Sequence, residues 1–268
     1  MLPFNSTKTL MFILNELHAI SKIDPLIDIN TTLNTKYQIF NEELPTIYPP
    51  KIQYFGIGVN GFRSTDSRDG FLPYKPDPRN MDLYHPIPIR VVPKDNDLEP
   101  EERDKYRIRV LKTINNEEYW CYYLKKLEIL STNSVKVKVN LLTGEEELFD
   151  IDYNYLNPVP QDIAVPNEED DTEEYNVYID TLLQLTGEEL YNTINVMYNG
   201  NLQYGLVSEI GLYSGEDRIV TDDFGTSYIE SIYTQLTCHE CNLGMDLTNI
   251  NTSVEKVIRI TQSTGFVL

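Results

Sequence analysis

Leu206-Val207-Ser208-Glu209-Ile210-Gly211-Leu212-Tyr213 is the stretch on which the fold turns. Ile210 and Leu212 lie two apart, the period of a strand that buries one face, and Gly211 between them lets a neighbouring chain approach closely. Ser214-Gly215-Glu216-Asp217 follows as a turn, and Asp217–Thr221 reads as a further strand. Upstream, Tyr198-Asn199-Gly200-Asn201 carries the Asn-Gly pair of a tight hairpin. Thr193–Tyr198 and Leu202–Tyr213 are therefore expected as its two arms. Tyr175–Leu185 reads as another strand, and so does Lys51–Val59.

Working outward, these strands predict a core built from 46–93 plus 175–221. Nine prolines (Pro45, Pro49, Pro50, Pro73, Pro76, Pro78, Pro86, Pro88 and Pro93) punctuate its first part and the residue just before it, so Ile87–Val92 is expected at an edge or bulge. Gly61–Asp69 is polar and reads as a loop. Residues 94–174 read as a β insertion with an acidic linker. Tyr106–Val110 alternates, Tyr119–Ile129 is aromatic-rich, and Val135-Lys136-Val137-Lys138-Val139 sets an apolar face against a basic one. Leu142-Thr143-Gly144-Glu145 is the turn back to Leu148–Tyr153. Residues 1–45 are expected as a helical arm, because Leu10, Ile13, Leu14, Leu17 and Ile20 recur at helical spacing within Thr7–Ile23. Residues 222–268 are expected as a helix over Thr226–Cys238, from Ile229, Ile232, Tyr233 and Leu236, and then a strand near Val254–Thr261. The expected class is α+β, mainly β: an antiparallel β-sandwich with a β-meander insertion and flanking helices.

Composition narrows the function classes. Among 268 residues, 22 Lys and Arg face 42 Asp and Glu, for a net charge of −20. That balance argues against nucleic acid and against an anionic membrane surface as partners. The longest apolar run, Leu10–Leu14, is far short of the roughly 20 residues that cross a bilayer. It has neither the basic lead nor the cleavage site of a secretory signal. Three cysteines argue against a disulfide scaffold and fit a reducing cytoplasm. Nineteen tyrosines provide side chains suited to contact surfaces. The stretch 139–217 holds 18 acids and no base, which reads as a solvated face or as a docking surface for a basic partner.

The candidate chemical motifs are thin. Gly56-Ile57-Gly58-Val59-Asn60-Gly61 has the spacing of a dinucleotide loop, but the polar run after it is no helix. A glycine-bearing bend is expected instead. Cys238-His239-Glu240-Cys241 supplies half a zinc site at best, so no stoichiometric zinc is expected there. Asp95-Asn96-Asp97-Leu98-Glu99-Pro100 has Pro where a calcium loop needs Gly. With His18, His85 and His239 as the histidines, no nucleophile triad is suggested. No catalytic residue, metal or cofactor is therefore expected.

Three stretches in order, Tyr54-Phe55-Gly56-Ile57-Gly58, Met81-Asp82-Leu83-Tyr84-His85-Pro86-Ile87 and Glu209-Ile210-Gly211-Leu212-Tyr213, resemble the N-terminal attachment module of phage tail-collar and tail-fibre proteins. The resemblance covers about a third of the chain. It implies a non-enzymatic virion protein of the baseplate or fibre attachment, made in the host cytoplasm and present in several copies. Its partners would be other virion proteins, such as baseplate, tail-tube or fibre subunits. A neck or capsid accessory protein, a carboxylate-dependent hydrolase and a cellular β-sandwich binding module are the alternatives. Residues 1–45, 61–80 and 157–174 are expected to order only on assembly, with Phe12, Phe62, Phe71, Tyr74 and Tyr84 as anchors.

Overall fold

The computed structural model describes residues 4–8, 12, 36–37, 51–64, 70–130, 135–148, 173–221, 225, 227–246 and 253–263. In chain order its first strands are β1 (Phe4–Lys8), β2 (Lys51–Gly58), β3 (Phe62–Ser64), β4 (Phe71–Pro73), β5 (Pro86–Ile87) and β6 (Arg90–Pro93). Helix α1 (Pro100–Arg103) precedes β7 (Tyr106–Ile114), β8 (Glu117–Lys126), β9 (Glu128–Ile129), β10 (Val135–Asn140), β11 (Glu146–Leu148) and β12 (Glu173–Thr186). Helix α2 (Gly187–Tyr198), a short 3-10 turn, β13 (Leu206–Thr221), β14 (Ser227–Asp246) and β15 (Ser253–Ser263) complete the set. The protein is α+β and mainly β, with antiparallel sheets.

The chain divides into two compact units, Met1–Leu127 with Gln184–Glu255, and Glu128–Leu183 with Lys256–Leu268. The larger holds an eight-stranded sheet in the order β1-β14-β13-β2-β8-β6, with β5 on β2 and β7 on β8. Strand β13 lies between β2 and β14, pairing Gly211 with Gly56 on one side and with His239 on the other. Both of its faces are covered. Ile210 and Leu212 are buried on one, Glu209 and Tyr213 on the other. Tyr54, Val91, Ile108, Cys121, Leu124, Tyr213 and Leu236 belong to the core packed around it. The smaller unit is a five-stranded sheet ordered β11-β10-β12-β15, with β9 on β12. Among the described residues its buried apolar side chains are Val137, Tyr178 and Leu183, and Arg259 stacks on the Tyr178 ring while its Nε donates to Asp180.

Several expectations need correction. The helix expected over Thr226–Cys238 is the long strand β14, paired with β13 from Ser227 to Asp246. Glu230 to Thr237 are all buried, apolar and polar side chains alike, so the apolar residues need not alternate. Tyr233, at φ 53°, and two register shifts against β13 reset the faces further. That is why the apolar spacing looked helical.

The strand expected at Thr193–Tyr198 is the end of helix α2. A capping box starts that helix: the Thr186 hydroxyl accepts from Glu189 N–H, and the Glu189 carboxylate accepts from Thr186 N–H. Asn199 ends it in the left-handed region at φ 51°. Asn-Gly suits a left-handed helix stop as well as a hairpin, and here it is the stop. Asp217–Thr221 is not a separate strand after a turn but the continuation of β13.

Strands β7 and β8, expected within an insertion, pair into the large sheet through β2 and β6. The polar loop expected at Gly61–Asp69 begins instead with β3, which pairs with β4. Residues Phe4–Lys8, at the edge of the expected helical arm, form β1 on β14. Most of 1–45 and all of 149–172 lie outside the described residues.

Candidate functional site

Glu209 sits near the start of β13 with no solvent exposure, and a buried carboxylate there must be bonded on every side. Segment 80–85 lies across this face of the sheet and provides much of the bonding. Tyr84 N–H donates to Oε2 at 2.7 Å and His85 N–H to Oε1 at 3.1 Å. The fully buried His239 on β14 places Nε2 3.0 Å from Oε2. On its other side, Asn80 Nδ2 donates to His239 Nδ1 at 3.1 Å. That contact makes Nδ1 the acceptor, so the network assigns the imidazole proton to Nε2, donated to Glu209. Asp82 accepts from the Tyr213 hydroxyl at 3.2 Å, and the Tyr84 ring lies 4.9 Å from that of His239.

The glycines of the Gly56–Gly61 motif explain themselves here. A Cβ on Gly58 would stand 2.8 Å from the His85 carbonyl oxygen and 3.1 Å from the Glu209 carboxylate. One on Gly61 would stand 2.3 Å from the Ser208 carbonyl oxygen. Gly61 N–H also donates to the Ser208 hydroxyl at 2.7 Å. The glycines make room for a buried carboxylate and its strand rather than for a pyrophosphate.

Cys241 completes the group. It pairs across from Glu209, on the same face as His239, with Sγ 3.6 Å from His239 Nε2. Cys238 stands three residues earlier on an unbroken stretch of strand and therefore points to the opposite face. The two cysteines of the C-x-x-C cannot share an ion. Burial, with Glu209 and Glu240 adding repulsion, pushes the Cys241 thiol up to about 12, so it is no nucleophile at neutral pH.

A second buried carboxylate, Glu230 on β14, does related work. Its oxygens accept from the N–H groups of Ile108 (2.8 Å), Arg109 (3.2 Å) and Ser231 (2.8 Å). Ile108 stands at φ 53°, rare for a β-branched residue, and its N–H points to Glu230. Burial pushes the Glu230 carboxyl above the ordinary range despite those three donors. Close by in sequence, the buried Arg107 forks onto Asp217 through Nε (2.7 Å) and Nη2 (2.8 Å). Burial opposes the Asp217 charge, but Arg107, Tyr54 and Lys126 outweigh it and hold the carboxyl down at about 2.

Elsewhere the acids are also engaged. Glu189 accepts from Lys125 at 2.7 Å and from the Tyr106 hydroxyl. Asp97, in the rejected calcium-like loop, takes Arg109 Nη2 at 2.6 Å, the Tyr122 hydroxyl and Leu98 N–H. Three of the acids of the 139–217 run are thus engaged within the larger unit: Glu189 and Glu209 are buried, and Asp217 is paired with the buried Arg107.

Of the expected anchors, Phe71, Tyr74 and Tyr84 are exposed, together with Leu72. Phe62 is half-buried and meets Phe71 edge-on at 5.4 Å, and Tyr74 meets Tyr84 at 5.9 Å. Phe12 is buried, under the Lys8 ammonium. Sequence reasoning placed Glu209, Ile210, Gly211, Leu212 and Tyr213 in a core strand but missed the work of Glu209, His239, Asn80 and Arg107. One signal was available: a glutamate inside an apolar strand must find partners.

Fold and site together define a mainly-β protein in which a buried glutamate ties a covering segment to the central strands. The chain belongs to a family of unknown function, DUF7208, which matches residues 4–267. No curated protein and no solved structure matches it. Among the described residues, no helix is long and apolar enough to cross a membrane.

Proposed function

We propose that this chain is a non-enzymatic structural component of a tailed-phage virion, at the baseplate or the site of fibre attachment. It would hold neighbouring virion subunits together. The observation that carries the reading is the meeting of the three resembling stretches. Tyr54–Gly58 pairs with Glu209–Tyr213, and Glu209 in turn fastens Tyr84 and His85. Stretches far apart in sequence form one packing unit, as a module with a shared architecture requires. Two further observations support it. The hairpin of β3 and β4 and the nearby Tyr74 and Tyr84 offer aromatic surface suited to a subunit contact. The buried carboxylates are bonded to backbone amides and bases, whereas hydrolysis needs two that face a substrate across a gap.

Peptide mass spectrometry of purified particles tests the reading, with a second arm carrying Phe71→Ser and Tyr74→Ser together. The chain should be found in wild-type particles at a fixed stoichiometry, and the folded double variant should be lost from them. Absence of the chain from the particle would overturn the proposal.

A further inference from the structure

We infer that Glu209, His239 and Cys241 form a zinc site on strands β13 and β14, beneath segment 80–85. Their ligand atoms all lie within 4.8 Å of one another, and all three residues are buried. Two of the three separations are close to those of a coordination sphere. With metal–nitrogen and metal–oxygen bonds near 2.0 Å and a metal–sulfur bond near 2.3 Å, tetrahedral angles put N and S about 3.5 Å apart and N and O about 3.3 Å apart. The observed separations are 3.6 Å from His239 Nε2 to Cys241 Sγ and 3.0 Å from Nε2 to Glu209 Oε2.

Strand geometry produces the site. His239 and Cys241 are two apart on β14, so both project to one face, and Glu209 is the cross-strand partner of Cys241. Imidazole, thiolate and carboxylate are a donor set for zinc rather than for calcium or magnesium. The fourth ligand comes from outside the three; His85 stands near, with Nδ1 3.9 Å from Glu209 Oε1 and a side chain 58% exposed. This neutral ligand can come from His85 or from water.

Charge and protons balance. Zn²⁺, one carboxylate and one thiolate sum to zero, which suits a buried position. The Cys241 thiol releases its proton to solvent. The His239 proton moves from Nε2, which takes the metal, to Nδ1. Asn80 then turns its amide so that Oδ1 accepts that proton, as an outer-shell partner does. Glu209 keeps its bonds to Tyr84 and His85 N–H, because a carboxylate has about four acceptor positions.

The test titrates the purified full chain, stripped with a chelator, with Co²⁺ and then Zn²⁺. One equivalent of Co²⁺ should give the intense visible bands of a tetrahedral ion and a near-ultraviolet thiolate-to-cobalt band. Zn²⁺ should displace it, and metal binding should release one proton per ion in weak buffer. Cys238→Ser should keep the thiolate band and Cys241→Ser should lose it. Asn80→Ala should weaken Zn²⁺ binding roughly 10–100-fold. If the folded wild-type chain gives only the pale spectrum of octahedral cobalt, the proposal falls whether or not the variants fold. It falls equally if the band follows Cys238 rather than Cys241.

Discussion

Glu209 and Glu230 are two buried glutamates on adjacent central strands that do the same first task and then part ways. Each accepts N–H groups from a segment outside the β13–β14 pair: Tyr84 and His85 for Glu209, Ile108 and Arg109 of β7 for Glu230. Around Glu230 the remaining donor is also backbone, Ser231 N–H, and the charges nearby close on each other as Arg107–Asp217. Around Glu209 the remaining partners are an imidazole and, behind it, a thiol. A carboxylate held by amides alone is a clasp. One that shares an oxygen with a histidine, itself in contact with a cysteine thiol, has beside it groups that can exchange protons for a metal ion. The contrast separates structural burial of charge from a site with chemistry, although the residue type and burial are the same.

The largest effect should come from breaking the ion pair beside Glu230. Arg107→Ala removes a fully buried guanidinium and should cost about 3 kcal/mol or more in chemical denaturation. The same pair sets a pH dependence. Asp217 titrates at about 2 in the fold, below its ordinary value, so its contribution is complete above pH 4 and is lost as the pH falls toward 2. Wild-type stability should drop over that window, and the drop should shrink in Arg107→Ala. An unchanged acid profile would mean that the pair contributes nothing.

Next in size is the apolar face beneath Glu209. Leu212 is 4% exposed, and Leu212→Ala should cost about 2–5 kcal/mol. A loss under about 0.5 kcal/mol would put the motif strand at the surface and remove the packing basis of the resemblance.

The glutamates themselves sharpen the comparison. Glu209→Gln and Glu230→Gln each exchange an acceptor oxygen for a donor facing backbone N–H, at about 1–3 kcal/mol. The Glu230 carboxyl is pushed up by burial, so its ionised form is the disfavoured one, and stability it lends is lost as the pH rises through its folded value. Glu230→Gln should therefore cost less at neutral pH than at pH 4, in paired denaturation curves. Equal costs at both pH values would show that Glu230 does not titrate with folding.

Smallest is a control outside both regions. Thr186→Ala removes the hydroxyl cap of α2 and should cost about 1 kcal/mol by the same assay. A null result there would place the start of the helix elsewhere.

Much of the strand content was legible because its signal is local. Lys51–Val59, Tyr106–Val110, Val135–Val139 and Tyr175–Leu185 alternate or carry β-branched and aromatic runs, and each lies in a strand, save that Val59 falls one residue past the end of β2. The failures came where one local signal serves two outcomes. Asn199-Gly200 tolerates left-handed backbone in a hairpin and at a helix end alike, and the Thr186-x-x-Glu189 box that would have decided it was passed over. The spacing in Thr226–Cys238 imitated a helix because β14 is buried on both faces over Glu230–Thr237. At the site, the C-x-x-C drew attention to the wrong pair: odd spacing on a strand splits Cys238 from Cys241, whereas His239 and Cys241 share a face.

By itself the sequence determined the mainly-β class, the charge balance and the place of Glu209 in a core strand, all of which depend on near neighbours and period. Only the tertiary structure decided that Glu189 and Glu209, drawn from the most acidic run of the chain, are buried and bound, and that Asp217 of the same run is held by the buried Arg107. The reason is that a carboxylate goes inside only where donors are waiting. Which amides those are, at Tyr84, His85 and Ile108, and which bases, at Lys125, His239 and Arg107, follows from pairings between strands far apart in sequence.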